Sequence, residues 1–237
     1  NVSDTVAVCS TGEALDRQDV DTVSDAGKPE VDQILLLALD TAPPPGRTSV
    51  PELEASLSPN YAVTIWSLAD QGLPTDRDLQ GYSAFIVDSG DYALDGTIVP
   101  LMGRLGPAPV LWIGSQILSL PDQELPQEPL LDVQVADTAH PLAAGFDADE
   151  IRTLNPSESG VPATVISTED FTEETGMPFV RGPESAEAGA PVVASYADET
   201  DADYRTLFAT FAFYRLPDGA QRLFAENAAA WLIGEGD

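Results

Sequence analysis

The chain has 237 residues, 43% of them apolar, enough to bury one large core or two small ones. Ten Lys and Arg stand against forty Asp and Glu, a formal net charge of -30, which excludes nucleic acid as a partner because binding to a phosphate backbone rests on basic side chains. No apolar run approaches the roughly 20 residues needed to cross a bilayer, so no transmembrane segment is expected. Lys28 is the sole lysine. This bias suits an acidic exported protein or a high-salt habitat, where carboxylates keep a surface hydrated and mutually repelled. A surface acidic for calcium or for a basic partner is the alternative reading.

Residues 1–30 are polar and acidic and read as an N-terminal arm or linker, with Val6-Ala7-Val8-Cys9 as a short strand-like run. Cys9 has no second cysteine to pair with and is expected to be a buried thiol. The opening Asn1-Val2-Ser3, which also fits a glycosylation sequon, is expected of a processed mature protein or a fragment of a larger one. Its location is then extracytoplasmic: periplasmic, secreted or at the cell surface.

The character changes at Val31, where an apolar run to Leu39 ends in Asp40; a run without alternation is a strand covered on both faces. Pro43-Pro44-Pro45-Gly46 turns the chain into a short amphipathic helix over Ser49–Leu57. A strand over Tyr61–Trp66, a second helix over Thr75–Leu79 capped by Thr75 or Asp76, and a strand over Tyr82–Asp88 follow. A third helix over Thr97–Leu105 stops at Gly106-Pro107, before a buried strand over Pro109–Gly114. Strands alternating with helices at this spacing predict βαβ units and a mainly parallel sheet, doubly wound and flanked by helices, in one α/β domain over residues 31–237.

Past Ile117 the rhythm weakens at Pro121, Pro126 and Pro129, before Leu131–Val135. Residues 168–189, rich in Glu, Gly, Ser and Pro, read as a long surface excursion. Pro191–Tyr196 and Thr206–Tyr214 read as strands. A closing helix after Pro217-Asp218-Gly219 sets Leu223, Phe224, Ala228, Trp231 and Leu232 on one face. The aromatic set Phe208, Phe211, Phe213, Tyr214, Phe224 and Trp231 reads as core.

In this order the segments resemble the class I glutamine-amidotransferase-like superfamily, nearest to its ThuA-like (trehalose-utilisation) and related exported members. The resemblance covers Val31–Gly234 and rests on an opening strand ending in Leu39-Asp40, a strand followed by Ser89-Gly90-Asp91, the turn Gly114-Ser115-Gln116, the segment His140-Pro141-Leu142 with Gly145, and a terminal helix ending in Trp231-Leu232. It implies a flavodoxin-like sheet. In catalytic relatives the turn after the central strand carries a Cys nucleophile between two glycines, with an oxyanion hole of backbone amides. Here the matching position is Ser115, the second glycine is missing, and the one histidine, His140, precedes the place where the relatives' catalytic histidine lies. The resemblance therefore implies a non-catalytic member, a pseudoenzyme.

Asp88, Asp91, Tyr92, Ser115 and Gln116 fall at the carboxyl ends of predicted strands, where open α/β sheets bind ligands. These are the candidate ligand-binding residues. Asp91 and Asp95, and Asp198, Asp201 and Asp203, form oxygen-rich loops that can hold Ca²⁺, although neither has the regular spacing of a dedicated calcium loop. No Cys and His set exists for zinc or iron, and no other cofactor is expected. Tyr92, Tyr196 and Tyr204 lie near the acidic loops and are placed to line a cleft. The expected function is a non-catalytic binding or assembly module of an exported protein or complex, with protein subunits, a parent polypeptide or a glycan as partner. The alternatives are a serine hydrolase with Ser115 as nucleophile, His140 as base and Asp88 or Asp91 orienting it, and a carbohydrate-related binding domain.

Overall fold

In the first strand, β1 (Gln33–Ala38), five of six residues are buried. Ile34 and Leu36 lie in the core on one face of the sheet, and Leu35 and Leu37 in the core on the other. Burying each such side chain is worth about 1.5–3 kcal/mol, so the strand is fixed between two layers. The computed structural model describes residues 31–40, 47–92, 98–117, 127–148, 150–154, 162–164, 175–198 and 201–234. The expected arm over residues 1–30, with Val6–Cys9, lies outside them. Residues from Val31 onward belong to one compact unit.

The chain continues through α1 (Val50–Leu57), β2 (Ala62–Ser67), α2 (Leu68–Gln71), β3 (Ala84–Gly90), α3 (Ile98–Leu105) and β4 (Val110–Gly114). Then come β5 (Gln127–Pro129), β6 (Asp132–Val135), β7 (Ile151–Thr153), β8 (Pro162–Thr164), β9 (Thr175–Arg181), β10 (Pro191–Asp198), β11 (Asp201–Ala209) and α4 (Asp218–Ile233). Nine of the strands form one sheet in the order β2-β1-β3-β4-β11-β10-β9-β6-β7, and β5 pairs with β8 apart from it. The pairs from β2 to β11 are parallel and those from β11 to β7 antiparallel. The sheet is therefore mixed rather than mainly parallel. Leu53 and Leu57 of α1 and Phe224 and Ala228 of α4 pack on the face with Ile34 and Leu36. Ile98, Leu101 and Leu105 of α3 pack on the face with Leu35 and Leu37.

Three segments differ from the sequence reading. No helix forms over Thr75–Leu79, where the chain runs through turns. The expected cap is reversed, because the Asp78 carboxylate accepts from Thr75 N–H at 2.8 Å and from its hydroxyl at 2.6 Å. These bonds hold the Asp78 carboxyl below its ordinary range. The excursion over 168–189 contains β9, paired to β10 and β6 with Phe179 and Arg181 buried. Breaks in the β9–β10 register blur the alternation that marks a strand. The last strand starts earlier than expected, at Asp201, and ends at Ala209. Beyond it the chain enters a 3-10 turn over Phe213–Arg215, which takes Tyr214 out of the sheet.

Candidate functional site

The register aligns the carboxyl ends of the parallel strands. Ala38 stands beside Asp88, Asp88 beside Ile113, and Ile113 beside Ala209. Just above this line the chain brings Asp91 from β3, Ser115 from β4, Ser49 from the start of α1, and Tyr214 and Arg215 from the 3-10 turn.

Asp88 is fully buried. Its carboxylate accepts from the backbone N–H of Ser49 and, at 2.9 Å, from that of Gly90. Burial pushes its pKa up to about 7, against the opposing pull of those two amide bonds. The side chain is thus a clamp between β3 and the N-terminus of α1. The same junction explains Gly90: its φ is +52°, and a Cβ there would stand 1.8 Å from the Arg47 carbonyl oxygen. Asp91 N–H completes the clamp by donating to that carbonyl at 3.0 Å.

Asp91 gathers the side chains of the site. The Arg215 guanidinium donates to its two oxygens at 3.1 and 3.3 Å, and the Tyr214 hydroxyl donates to it as well. Ser115 Oγ reaches it in a long, weak bond of 3.4 Å. The Arg215 and Asp91 side chains are 8% and 16% exposed, so the pair is little screened by solvent. The Tyr214 hydroxyl is pushed up to about 12, first by burial and then by its bond and proximity to Asp91. Arg47 stacks on the Tyr214 ring at 4.3 Å and pairs with Glu52. Arg215 Nε, Glu52 Oε2 and Ser89 Oγ are buried there without a hydrogen-bond partner among the described residues.

The structure does not bring Ser115 and His140 together. The His140 Nε2 lies 2.8 Å from Ser195 Oγ, and its Nδ1 accepts from Leu142 N–H at 3.2 Å. An accepting Nδ1 puts the ring proton on Nε2, which donates to Ser195. Burial lowers the His140 pKa, with Asp137 opposing, and the ring packs on Trp231. Ser195 pairs with Leu207 and Leu207 with Leu111, two strands across and four residues down from Ser115, a separation on the order of 15 Å at ordinary strand spacing. Ser115 itself is 2% exposed, unlike a nucleophile held out on a strained turn.

Tyr92 and Gln116 are half-buried beside the Asp91 cluster. Tyr196 and Tyr204 pack edge to face at the other end of the sheet, on the β10–β11 hairpin, so the three tyrosines line no common cleft. Asp95 lies outside the described residues. Asp198, Asp201 and Asp203 sit on that hairpin, away from Asp91. Among the described residues no group of three or more His, Cys, Asp or Glu side chains could hold a metal ion, and both Asp91 oxygens are engaged by Arg215. Sequence reading missed Arg47, Ser49 and Arg215 and assigned Tyr214 to the core. The available signal was scarcity, since a chain with ten basic residues places two of them against one tyrosine.

Geometry of this kind defines an α/β fold with one mixed sheet and a polar cluster at the carboxyl ends of its parallel strands. Among solved structures, the chain is similar to the mmIFT52 N-terminal domain, with a TM-score of 0.57 and 10% identity over 86% of this chain and 98% of that one. It is similar to a ThuA-like protein from Bacteroides uniformis, with a TM-score of 0.54 and 12% identity over 88% of this chain and 94% of that one. PurLQS from Thermotoga maritima aligns with a TM-score of 0.49 at 14% identity, over 85% and 99%. No family model and no curated protein matches the chain by sequence. Similarity at these identities is one of fold. No helix among the described residues is long and apolar enough to cross a membrane.

Proposed function

We propose that the chain is a non-catalytic binding module of a larger exported polypeptide or complex, built on a flavodoxin-like, doubly wound arrangement. The order β2-β1-β3-β4 with helices on both faces supports that arrangement. The observation that carries the functional reading is the state of Ser115. The resemblance of the sequence to class I glutamine-amidotransferase-like proteins puts Ser115 at their nucleophile position, yet it is buried against Asp91, which is itself tied to Tyr214 and Arg215. The one histidine of the chain is bonded to Ser195. A hydrolase of the serine-histidine kind needs a reachable nucleophile with its histidine in hydrogen-bond range, whereas Ser115 is 2% exposed and His140 is bonded elsewhere.

Occurrence of the fold as the N-terminal domain of another protein is in keeping with a module. The test is reaction with a fluorophosphonate probe alongside Ser115→Ala and His140→Ala. Folded protein is expected to stay unlabelled, and both variants to retain the subunits that copurify with the native protein. Labelling at Ser115 would overturn the reading in favour of a hydrolase.

A further inference from the structure

Among the described residues the sheet ends in two edge strands, and they are built differently. One edge is β7, three residues long with Arg152 at its centre, paired to Glu150. Short length and a charged side chain are ordinary protections against strand addition. The other edge is β2, Ala62-Val63-Thr64-Ile65-Trp66-Ser67. It has six residues, no charge, no proline and an unbroken register against β1 from Gln33↔Ala62 to Ala38↔Ser67. In a chain that is 21% charged, an exposed strand lacking every one of those protections calls for an explanation.

Backbone bookkeeping shows what β2 offers. Ala62 N–H donates inward to the Asp32 carbonyl at 3.0 Å. In a parallel ladder the N–H and C=O of one residue point the same way and alternate along the strand. Val63, Ile65 and Ser67 therefore face outward. Ser67 N–H is taken by the Gln71 side chain at 2.9 Å, which leaves the N–H and C=O of Val63 and Ile65 along the edge without a partner among the described residues. Ile65 is 38% exposed.

We propose that this edge takes an extended segment of a partner polypeptide as an added strand, a short alternating apolar run flanked by Lys or Arg. The inference rests on the binding-module reading and names its surface and the chemistry of its partner. Strand addition supplies main-chain hydrogen bonds, with side chains on alternate faces setting specificity. Charge selects the flanks: carboxylates stand at both ends of β2 and none along it, with Asp32 at its start and Asp40 and Asp70 at its end, on a chain of net charge -30. A second copy of the chain fits less well. Two β2 edges would meet over roughly 20 Å by one sheet thickness of roughly 10 Å, well short of the ~800 Å² per partner of a stable interface, while bringing together two strongly acidic chains.

The test uses the whole chain and a synthetic peptide of alternating Val and Thr between Lys pairs, with binding followed by fluorescence anisotropy at low salt. Binding is expected to slow amide exchange at Val63 and Ile65 about tenfold or more, and Ile65→Pro is expected to weaken it about tenfold, because the Ile65 N–H points outward and an edge strand tolerates proline there. Should Ile65→Pro fail to fold, Ile65→Lys keeps every backbone group and sets a positive charge against the probe, with the same loss expected. Equal binding by a folded Ile65 variant, protection elsewhere, or no binding overturns the edge assignment while leaving the module reading standing. A dimer without peptide that an Ile65 variant dissolves assigns the edge to a second copy and likewise overturns the proposal. Fluorophosphonate labelling of Ser115 would instead remove the module reading and leave the exchange result at β2 intact.

Discussion

Replacing Asp91 by alanine removes the acceptor shared by Arg215, Tyr214 and Ser115. The Arg215 side chain is 8% exposed and its Nε has no partner among the described residues, so the substitution strands a guanidinium that water barely reaches. Breaking one side of a buried ion pair costs about 3–5 kcal/mol, most of it the cost of the orphaned charge. Tyr214 is only half-buried, and its hydroxyl recovers much of its bond from solvent, so it adds little. In a domain of this size that loss lowers the melting temperature by roughly 10 °C. Urea is the denaturant of choice, because guanidinium chloride would screen the pair under study. The decisive comparison is Asp91→Ala/Arg215→Met, which removes the orphan and should recover about 2–3 kcal/mol of the single-mutant loss. A loss below about 1 kcal/mol for Asp91→Ala, or a double variant that costs the sum of the singles, would refute the claim that Asp91 neutralises a desolvated arginine.

Asp88 makes stability fall as pH rises. Burial raises its pKa to about 7 in the folded state from 3.8 for an exposed aspartate, so between those values the folded state holds a proton that the unfolded state has released, and stability worth about 4 kcal/mol is lost across that window. Urea titrations at several pH values should show Asp88→Asn with a flatter profile there than the parent; an unchanged profile would contradict the assignment. His140 has the opposite sign, because its pKa is lowered by burial: the stability it contributes is present above its unfolded pKa of about 6.5 and is lost as pH falls below it. Gly90→Ala and Gly72→Ala share a positive φ, +52° and +70°, the latter with ψ of -166°, but a Cβ at Gly90 would meet the Arg47 carbonyl whereas nothing lies within 4 Å at Gly72. Gly72→Ala should cost about 1–3 kcal/mol from backbone strain alone and Gly90→Ala markedly more in the same titration, and equal losses would refute the close approach.

The central strands were legible because burial on both faces leaves a plain mark. Ile34–Leu39 and Val110–Ile113 are uninterrupted apolar runs, and the structure sets their strands inside the sheet. The second half was harder, because β9 contains Gly176 and Pro178 and is kept by pairing on both sides rather than by local propensity. Asp88 and Asp91 were legible as candidates from their place at a strand end. Their partners were not, because Ser49, Tyr214 and Arg215 lie 39 or more residues away along the chain. No spacing rule links residues whose meeting depends on a 3-10 turn ending a strand early.

The bonds at the carboxyl ends of the parallel strands bear on where a partner can bind. In open α/β sheets the crevice beyond those ends is the usual ligand site because it collects unspent backbone and side-chain polarity. Here Asp88 spends both carboxylate oxygens on the Ser49 and Gly90 amides, Asp91 is held by Tyr214 and Arg215, and Ser115 N–H is bonded to the Gly90 carbonyl. A ligand entering at Asp91 would have to displace an ion pair little screened by water. The outward N–H and C=O groups of Val63 and Ile65 oppose no such cost, since no described residue is bonded to them. Net hydrogen-bond gains of about 1 kcal/mol each favour the partner's approach at the edge over the crevice, and the acidic surround raises the encounter rate of a basic chain toward it.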